Sequence, residues 1–139
     1  MDGYSKISKI MHSFREVNRE FYHLLNEPDQ LGITIMQLLV LRSLKEEPNI
    51  GLGELAERLQ VGNSTMSGIV ERLVKAGYLV RKRSENDRRT LLLRLTDKGE
   101  EKQKETHNIF MKQMSKIVDI PDKEIEQLLQ LHQLIIGKL

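Results

Sequence analysis

The sequence predicts a mainly α, α+β fold in which six helices accompany a small sheet of two or three strands. Apolar residues recur at steps of three and four along most of the 139 residues, which is the spacing of one helix face. The pattern changes to short strand-like runs only at residues 78–83 and 90–95, and the run 84–89 between them is rich in turn-forming residues. A mainly helical chain with one hairpin is therefore expected.

A long amphipathic helix is predicted over residues 4–25, with one apolar stripe along about five to six turns. The helix is expected to end in residues 26–30, where Pro28 lies among turn-forming neighbours. A stripe of this length exceeds what a small domain needs to cover its own core, so we expect part of it to pack against a second chain. Packing within the same chain is the alternative.

Two core helices are predicted next. The first is expected to end before Pro48 and to begin at Thr34, which fits a capping box together with Gln37 because each side chain accepts a hydrogen bond from a backbone amide at the helix start. The second is short and runs from Gly51 to Leu59, with Glu54 placed to cap its first turn. Both helices carry apolar residues at core spacing.

The following helix combines a polar front with an apolar back. Small polar residues at 63–68 precede the apolar set, and Gly77 is expected to end the helix in the left-handed conformation. A short helix, a tight turn at residues 60–62 and a second helix with a polar front form a helix-turn-helix signature, and the predicted hairpin follows it as a wing. The apolar set is Ile69, Val70, Leu73 and Val74.

Two further helices are predicted after the hairpin. Thr96 is expected to cap the first, with Asp97 in its first turn, and this helix becomes apolar towards Val118. The second has Pro121 at its first position and is apolar over a wide arc. Because both ends of the chain carry uncovered apolar surface, the terminal helices are predicted to form a dimerisation unit. Its expected contact residues are Ile7, Ile10, Phe14, Ile117, Leu128 and Ile135.

This organisation divides the chain into an N-terminal dimerisation helix with its linker (1–33), a winged helix-turn-helix domain (34–98) and C-terminal dimerisation helices (99–139). Positive charge is concentrated around the wing. Residues 72–98 carry nine Lys and Arg against three Asp and Glu, a net charge of +6, whereas the whole chain has a net charge of +2. A local basic surface of this kind suits the neutralisation of phosphates.

Several function classes are disfavoured. The chain has no run of about 18 apolar residues and residues 1–6 lack the apolar core of a signal peptide, so a cytoplasmic protein without a membrane span is expected. It has no cysteine, which removes thiol oxidation and thiolate ligands. No catalytic spacing is found, so no enzyme, cofactor or metal is predicted. Zinc binding by histidines gathered at a dimer interface is the alternative, but no two of the four histidines have the i,i+4 spacing.

Two runs of residues are together fairly specific for one protein family: the wing motif Asp87-Arg88-Arg89 and the run Leu95-Thr96-Asp97-Lys98-Gly99. With two further runs they resemble the multiple antibiotic resistance regulator (MarR) family of winged-helix repressors, whereas a helix-turn-helix alone is weak evidence. The order of predicted elements is similar to the family over nearly the whole chain. Gly62, Asn63 and Gly68 depart from the usual pattern, which leaves the sequence preference open. The other two runs are Gly53-Glu54-Leu55-Ala56 and the stretch from Ser64 to Val80.

The resemblance implies a homodimer on a pseudo-palindromic operator in double-stranded DNA, with each recognition helix in a major groove and each wing in the flanking minor groove. In similar proteins the wing aspartate orients the basic side chains beside it, and the second arginine, here Arg89, reaches into the minor groove. Ser64, Thr65 and Ser67 are expected at base edges, and Arg72, Lys75 and Arg88 at phosphates. The full set of expected DNA-binding residues adds Asn63 and Gly68 in the recognition helix and Arg83 and Asp87 in the wing.

The resemblance also implies repression that a small aromatic or lipophilic effector relieves by favouring one arrangement of the dimer. Phe14, Met36, Met66 and Met111 are candidate lining residues, and core packing is the alternative for each. A rival interpretation is a winged-helix module for protein contacts, whose basic wing meets an acidic partner. That module would bind DNA weakly and without sequence preference.

Overall fold

The computed structural model describes residues 1–25 and 31–139, and within them it contains seven helices and three strands. Residues 26–30, where the first helix was expected to end, lie outside the described residues. The helices are α1 (Gly3–Leu25), α2 (Ile35–Glu46), α3 (Leu52–Arg58), α4 (Asn63–Lys75), α5 (Asp97–Gln113), α6 (Ser115–Val118) and α7 (Asp122–Lys138). The strands are β1 (Ile50–Gly51), β2 (Leu79–Arg83) and β3 (Leu91–Leu95).

The starts of α2 and α3 are held differently. At α2 the predicted capping box is confirmed, because Thr34 Oγ1 accepts from the Gln37 amide at 3.2 Å and Gln37 Oε1 accepts from the Thr34 amide at 3.0 Å. At α3 the prediction for Glu54 is wrong, since the capping residue Gly51 ends β1 and no side chain caps the helix. The Glu54 carboxylate instead accepts a hydrogen bond from Arg58, one turn later, at 2.9 Å.

The hairpin is extended to a three-stranded antiparallel sheet in the order β1-β3-β2. Strand β2 pairs with β3 from Leu79 opposite Leu95 to Arg83 opposite Leu91, and the two-residue β1 pairs along the other edge of β3. Leu79, Leu93 and Leu95 are buried, so their end of the sheet closes the core while residues 84–90 project from it. Of the two or three strands that the sequence predicts, the structure contains three.

Two apolar clusters stabilise this arrangement. The larger one lies inside the winged helix-turn-helix unit, and Leu41, Leu55, Met66 and Val70 have no exposed surface in it. The predicted core face of α4 is confirmed, with Val70 and Leu73 buried and Ile69 and Val74 partly buried against the cluster. The smaller cluster joins the start of α2 to the end of α5, and its buried members are Leu31, Leu38 and Met114.

The C-terminal part differs from the prediction by one short helix. Met114 leaves the helical conformation (φ −92°, ψ 7°) and is buried with Leu31 and Leu38, so the expected single helix is split into α5 and α6. Pro121 caps α7 and lies one residue before its first helical position. Helix α7 has no buried residue among those described. No helix in the described ranges is long and apolar enough to span a membrane.

Candidate nucleic-acid interface

Helix α4 presents a polar face to solvent. Asn63, Ser64, Thr65, Ser67 and Gly68 are all exposed, and we call these five residues the polar face of α4. On the opposite side of the helix, side chains pack into the core. Met66, Val70 and Leu73 are at most 1% exposed. Among the described residues no side chain caps α4, because its N-cap is Gly62 and the cap forms no side-chain hydrogen bond. The first amides of α4 therefore remain available to an anion.

The other end of α4 is closed by a Schellman motif. Gly77 takes the left-handed conformation at φ 84°, its amide donates to the Val74 carbonyl, and the Tyr78 amide donates to the Leu73 carbonyl. The helix therefore ends where the sequence predicts. Arg72 and Lys75 are exposed in the last turns, and neither forms an ion pair within the described residues.

An ion pair joins α4 to the wing, and no local pattern of residues predicts it. Arg81 Nη2 on β2 donates to Glu71 Oε2 on α4 at 2.6 Å, across ten positions of sequence. This hydrogen bond, followed by the charge of Arg81, lowers the pKa of Glu71 below its ordinary value. Arg81 thus spans the gap between recognition helix and wing strand, and its charge is matched by a carboxylate.

Asp87 organises the tip of the wing through the backbone. Its Oδ1 accepts from the Arg89 amide at 3.0 Å, and its Oδ2 accepts from the Thr90 hydroxyl at 3.3 Å. The base of the loop is closed by a hydrogen bond of 2.9 Å from the Ser84 amide to the Thr90 carbonyl. The two carboxylate oxygens therefore hold the turn itself, and within the described residues Asp87 forms no ion pair with Arg88 or Arg89.

Arg83 has a partner inside the wing, unlike the two arginines at the tip. Its Nη1 donates to the Arg88 carbonyl at 2.7 Å, which ties β2 to the loop. Arg88 and Arg89 are exposed, and within the described residues neither guanidinium forms an ion pair. The wing tip is therefore a braced loop that presents two unmatched cations.

A second set of polar contacts joins the end of α4 to the start of α5. Thr96 Oγ1 donates to the Gly77 carbonyl at 2.6 Å and accepts from the Gly99 amide at 3.0 Å, which confirms it as the N-cap of α5. Lys98 Nζ donates to the Ala76 carbonyl at 2.7 Å and lies 5.1 Å from the centre of the Tyr78 ring. We call these contacts the α4–α5 junction.

The predicted dimerisation residues lie on the least covered part of the chain. Ile7 is 64% exposed, Leu128 is 48% exposed, and Phe14 and Ile117 are also exposed, whereas Ile10 and Ile135 are partly buried. Helices α1 and α7 meet where the rings of Phe14 and His132 pack edge to face, 5.5 Å apart. Part of the apolar stripe of each helix is therefore brought to one region, and the described residues leave much of both stripes exposed.

The residues expected to line an effector site differ in how far the structure buries them. Met66 is fully buried in the larger core, so core packing is its role, while Met36 is partly buried and Met111 is exposed. An open groove of about 400 Å³ lies between α1 and α6, lined mainly by Val17, Phe21, Leu24 and Ile117, and none of the four effector candidates lines it. The described residues contain no group of three or more His, Asp or Glu able to hold a metal ion.

A helix-turn-helix made by α3 and α4, followed by a β-hairpin with a basic tip, defines a winged helix-turn-helix protein. Residues 33–91 match the model of the MarR family. This stretch runs from the residue before the Thr34 cap to the first residue of β3, and it contains the polar face of α4 and the wing tip.

Known proteins similar to the chain are regulators. The HTH-type transcriptional repressor MdtR of Bacillus subtilis is 35% identical over 77 residues, which are 55% of this chain and 50% of that protein. The chain spans about half the length of the curated relatives it matches. Among solved structures, PcaV from Streptomyces coelicolor in complex with its natural ligand is 26% identical, with a TM-score of 0.77, covering 91% of this chain and 90% of that chain. Overoxidized AbfR bound to DNA is 27% identical, with a TM-score of 0.75, and the match covers 98% of this chain and 96% of that chain.

Proposed function

We propose that the protein is a cytoplasmic, dimeric transcriptional repressor that binds a pseudo-palindromic operator in double-stranded DNA and is released from it by a small molecule. The observation that carries this proposal is the pairing of the polar face of α4 with the braced, basic tip of the wing. The relative MdtR, which is a transcriptional repressor, and the DNA-bound state of AbfR support it.

The recognition helix supplies base contacts in this proposal. Ser64, Thr65 and Ser67 meet base edges in the major groove, with Asn63 and Gly68 beside them, and Arg72 and Lys75 meet phosphates. Hydroxyl side chains are short and lack the paired donors with which an arginine reads guanine. We therefore expect modest direct readout by α4 and a larger share of shape recognition.

The wing supplies affinity. Arg89 enters the minor groove, where a narrow A·T-rich segment has enhanced negative potential, and Arg88 meets a phosphate. Arg83 and Asp87 act on the loop, since their side chains bond to the backbone around Arg88 and Arg89. A loop held in one conformation before binding loses less entropy when it docks.

Dimerisation rests on the uncovered apolar faces of α1 and α7. In this proposal, the two parts 1–33 and 99–139 form the dimerisation unit and 34–98 the DNA-binding domain. An exposed stripe such as Ile7, Phe14, Leu128 and Leu134 is costly in water and is covered when two copies interlock. The dimer places two recognition helices on two half-sites about one helical turn apart.

The proposed effector is a small aromatic or lipophilic acid that binds between the dimerisation unit and the winged domain. The natural ligand present in the PcaV structure supports this part of the proposal. A ligand that prefers one spacing of the two domains shifts the dimer away from the arrangement that fits DNA. A panel of aromatic carboxylic acids that raises the Kd for operator would support it, and a panel without any effect on Kd would count against it.

Selection of duplexes from a random pool tests the proposed function. The protein should enrich an inverted repeat whose half-sites lie about one helical turn apart. A pool that remains random after several rounds would contradict the proposal. Such a result, combined with tight binding to an acidic protein partner and a steep salt dependence on any DNA, would favour the module for protein contacts instead.

A further inference from the structure

We propose that the α4–α5 junction sets the distance between the two recognition helices of the dimer, and that Thr96 and Lys98 are positioning residues for operator spacing. The proposal rests on the proposed function, because it concerns a dimer on two half-sites. Neither residue belongs to the polar face of α4 or to the wing tip.

The junction satisfies the end of the recognition helix with groups from the next helix. The last carbonyls of a helix lack partners within it and carry partial negative charge. Here the Ala76 carbonyl accepts from Lys98 Nζ at 2.7 Å and the Gly77 carbonyl accepts from Thr96 Oγ1 at 2.6 Å. Because Thr96 also caps α5, a single hydroxyl is bonded to the end of one helix and the start of the other.

The backbones approach closely at the same point. A Cβ placed on Gly99 would lie 2.0 Å from the Tyr78 carbonyl oxygen, so the first turn of α5 lies directly against the residue that follows the α4 cap. The Thr96 amide donates to the same carbonyl at 3.0 Å. The direction in which α5 leaves the winged unit is therefore fixed relative to α4 at close contact.

Helix α5 carries this direction to the dimerisation helices. It has 17 residues, which at 1.5 Å per residue is a length of about 25 Å, and the chain then continues into α6 and α7. A rotation of about 10° at its start would displace its far end by about 4 Å over that length, close to the rise of one base pair. Helix α2 also packs against the apolar half of α5, and the junction adds a direct polar link to the recognition helix.

The test measures the preference for half-site spacing. Duplexes carry the selected half-sites separated by the selected spacing or by one or two base pairs more or fewer. Each base pair moves a half-site by about 3.4 Å and turns it by about 34–36°, so the parent protein should prefer one spacing by at least about tenfold in Kd. Thr96→Val, which keeps the side-chain shape and removes the hydroxyl, should reduce this preference to about threefold or less. Thr96→Ser should restore it.

Two controls separate positioning from stability. Thr34→Val removes an equivalent cap from α2, where Thr34 Oγ1 accepts from the Gln37 amide, and it should keep the parent's preferred spacing. If Thr96→Val does not fold, Lys98→Met carries the test, because this exposed side chain contributes little to the core. Lys98→Met should weaken the preference, whereas Lys104→Met, an exposed lysine of the same helix, should leave it unchanged.

Unchanged spacing preference in folded Thr96→Val or Lys98→Met protein would overturn the proposal. An equal loss in Thr34→Val would also overturn it, since a general loss of stability would then explain the effect. Failure of the proposed function is seen separately, because the parent protein itself would bind no inverted repeat in preference to unrelated DNA.

Discussion

Arg88 and Arg89 at the wing tip differ from Arg81 and Arg83 in having no side-chain partner in the described part of the chain. Arg81 is paired with Glu71, and Arg83 is bonded to the Arg88 carbonyl, whereas Arg88 and Arg89 are exposed and form no ion pair. A cation without a local partner loses little when it meets a phosphate or enters a groove. We therefore assign the electrostatic contact of the wing to these two side chains.

Arg89→Ala is expected to weaken operator binding by about 1 to 3 kcal/mol, because it removes a cation from the minor groove. Its thermal midpoint should stay close to the parent's value, since the side chain is exposed and unpaired. A titration followed by fluorescence anisotropy measures the affinity, and thermal unfolding measures the stability. Glu85→Ala, an exposed acidic neighbour in the same loop, should bind no more weakly than the parent. Equal affinity of Arg89→Ala and parent would refute the role of Arg89.

The ion pair between Glu71 and Arg81 should make the stability of the protein depend on pH. Folding lowers the pKa of Glu71, so the folded state favours the ionised carboxylate. Its contribution to stability is complete above the ordinary pKa of a glutamate and is lost as the pH falls through the lowered value in the folded state. The thermal midpoint of Glu71→Gln should therefore lie below that of the parent near neutral pH, and the difference should disappear in acid.

Thermal unfolding from pH 7 down to about pH 3 measures this difference across the titration range of a glutamate. Glu101→Gln, which replaces an exposed glutamate with no ion pair in the described ranges, is the matched control, and its thermal midpoint at neutral pH should stay close to the parent's. A difference for Glu71→Gln that is the same at all pH values would show that charge is not its origin.

At the level of elements, the contact between Tyr78 and Gly99 is the tightest constraint on how the wing and α5 meet. The position admits no side chain, because the Cβ of any other residue would lie 2.0 Å from a backbone oxygen. The glycine of the run Leu95–Gly99 is thus explained by backbone packing, and the threonine of that run by its two hydrogen bonds.

Gly99→Ala is expected to destabilise the protein by about 2 kcal/mol or more, since backbone must move to admit the methyl group. Gly53→Ala is the matched control, because a Cβ at that helical position meets nothing within 4 Å, and it should stabilise by about 0.5 to 1 kcal/mol. Urea unfolding of both variants gives the two values. A Gly99→Ala protein as stable as the parent would contradict the close packing of α5 on the wing.

Features set by neighbouring residues were predictable from the sequence, and features set by distant ones were not. The capping box at Thr34, the core face of α4 and its end at Gly77 depend on residues within one or two turns, and all three are confirmed. The pairs Glu71–Arg81 and Thr96–Gly77 join residues ten and nineteen positions apart, so no local pattern marks them. The interruption at Met114 was also missed, and Met114 packs against Leu31 and Leu38, which are distant in the sequence.

The placement of the candidate site was predictable to a similar extent, while the DNA-binding roles of its residues stay predictions. The polar face of α4 and the basic wing follow from residue type and periodicity, and the structure places them on exposed surfaces. Arg83 illustrates what residue type leaves out. As a cation on the wing it was expected to contact DNA, but its guanidinium is bonded to the Arg88 carbonyl, which makes it a brace for the loop in our proposal.

At the scale of the molecule, the winged unit has a closed core, whereas the apolar faces of α1 and α7 are left exposed by the residues that the structure describes. Leu128→Glu should therefore convert the dimer to a monomer, because it places a charge in the proposed interface. Loss of the second binding module should also weaken operator binding by about 100-fold or more. Sedimentation measures the mass of the protein in solution, and fluorescence anisotropy measures its affinity for the operator.

Leu91→Glu is the matched control for oligomeric state. Leu91 is 44% exposed, close to the 48% of Leu128, but it lies on the wing strand β3. The Leu91→Glu protein should therefore remain dimeric. A Leu128→Glu protein with the mass of the parent would place the dimer interface elsewhere.

The most direct test of the account compares the parent protein on the selected inverted repeat and on an unrelated duplex of the same length at about 150 mM salt. Specific regulators bind their sites at least about 10³-fold more tightly than other DNA. We expect a Kd ratio of that order and a complex of two chains per inverted repeat. Equal Kd values on the two duplexes would contradict the proposal that the polar face of α4 and the wing read an operator.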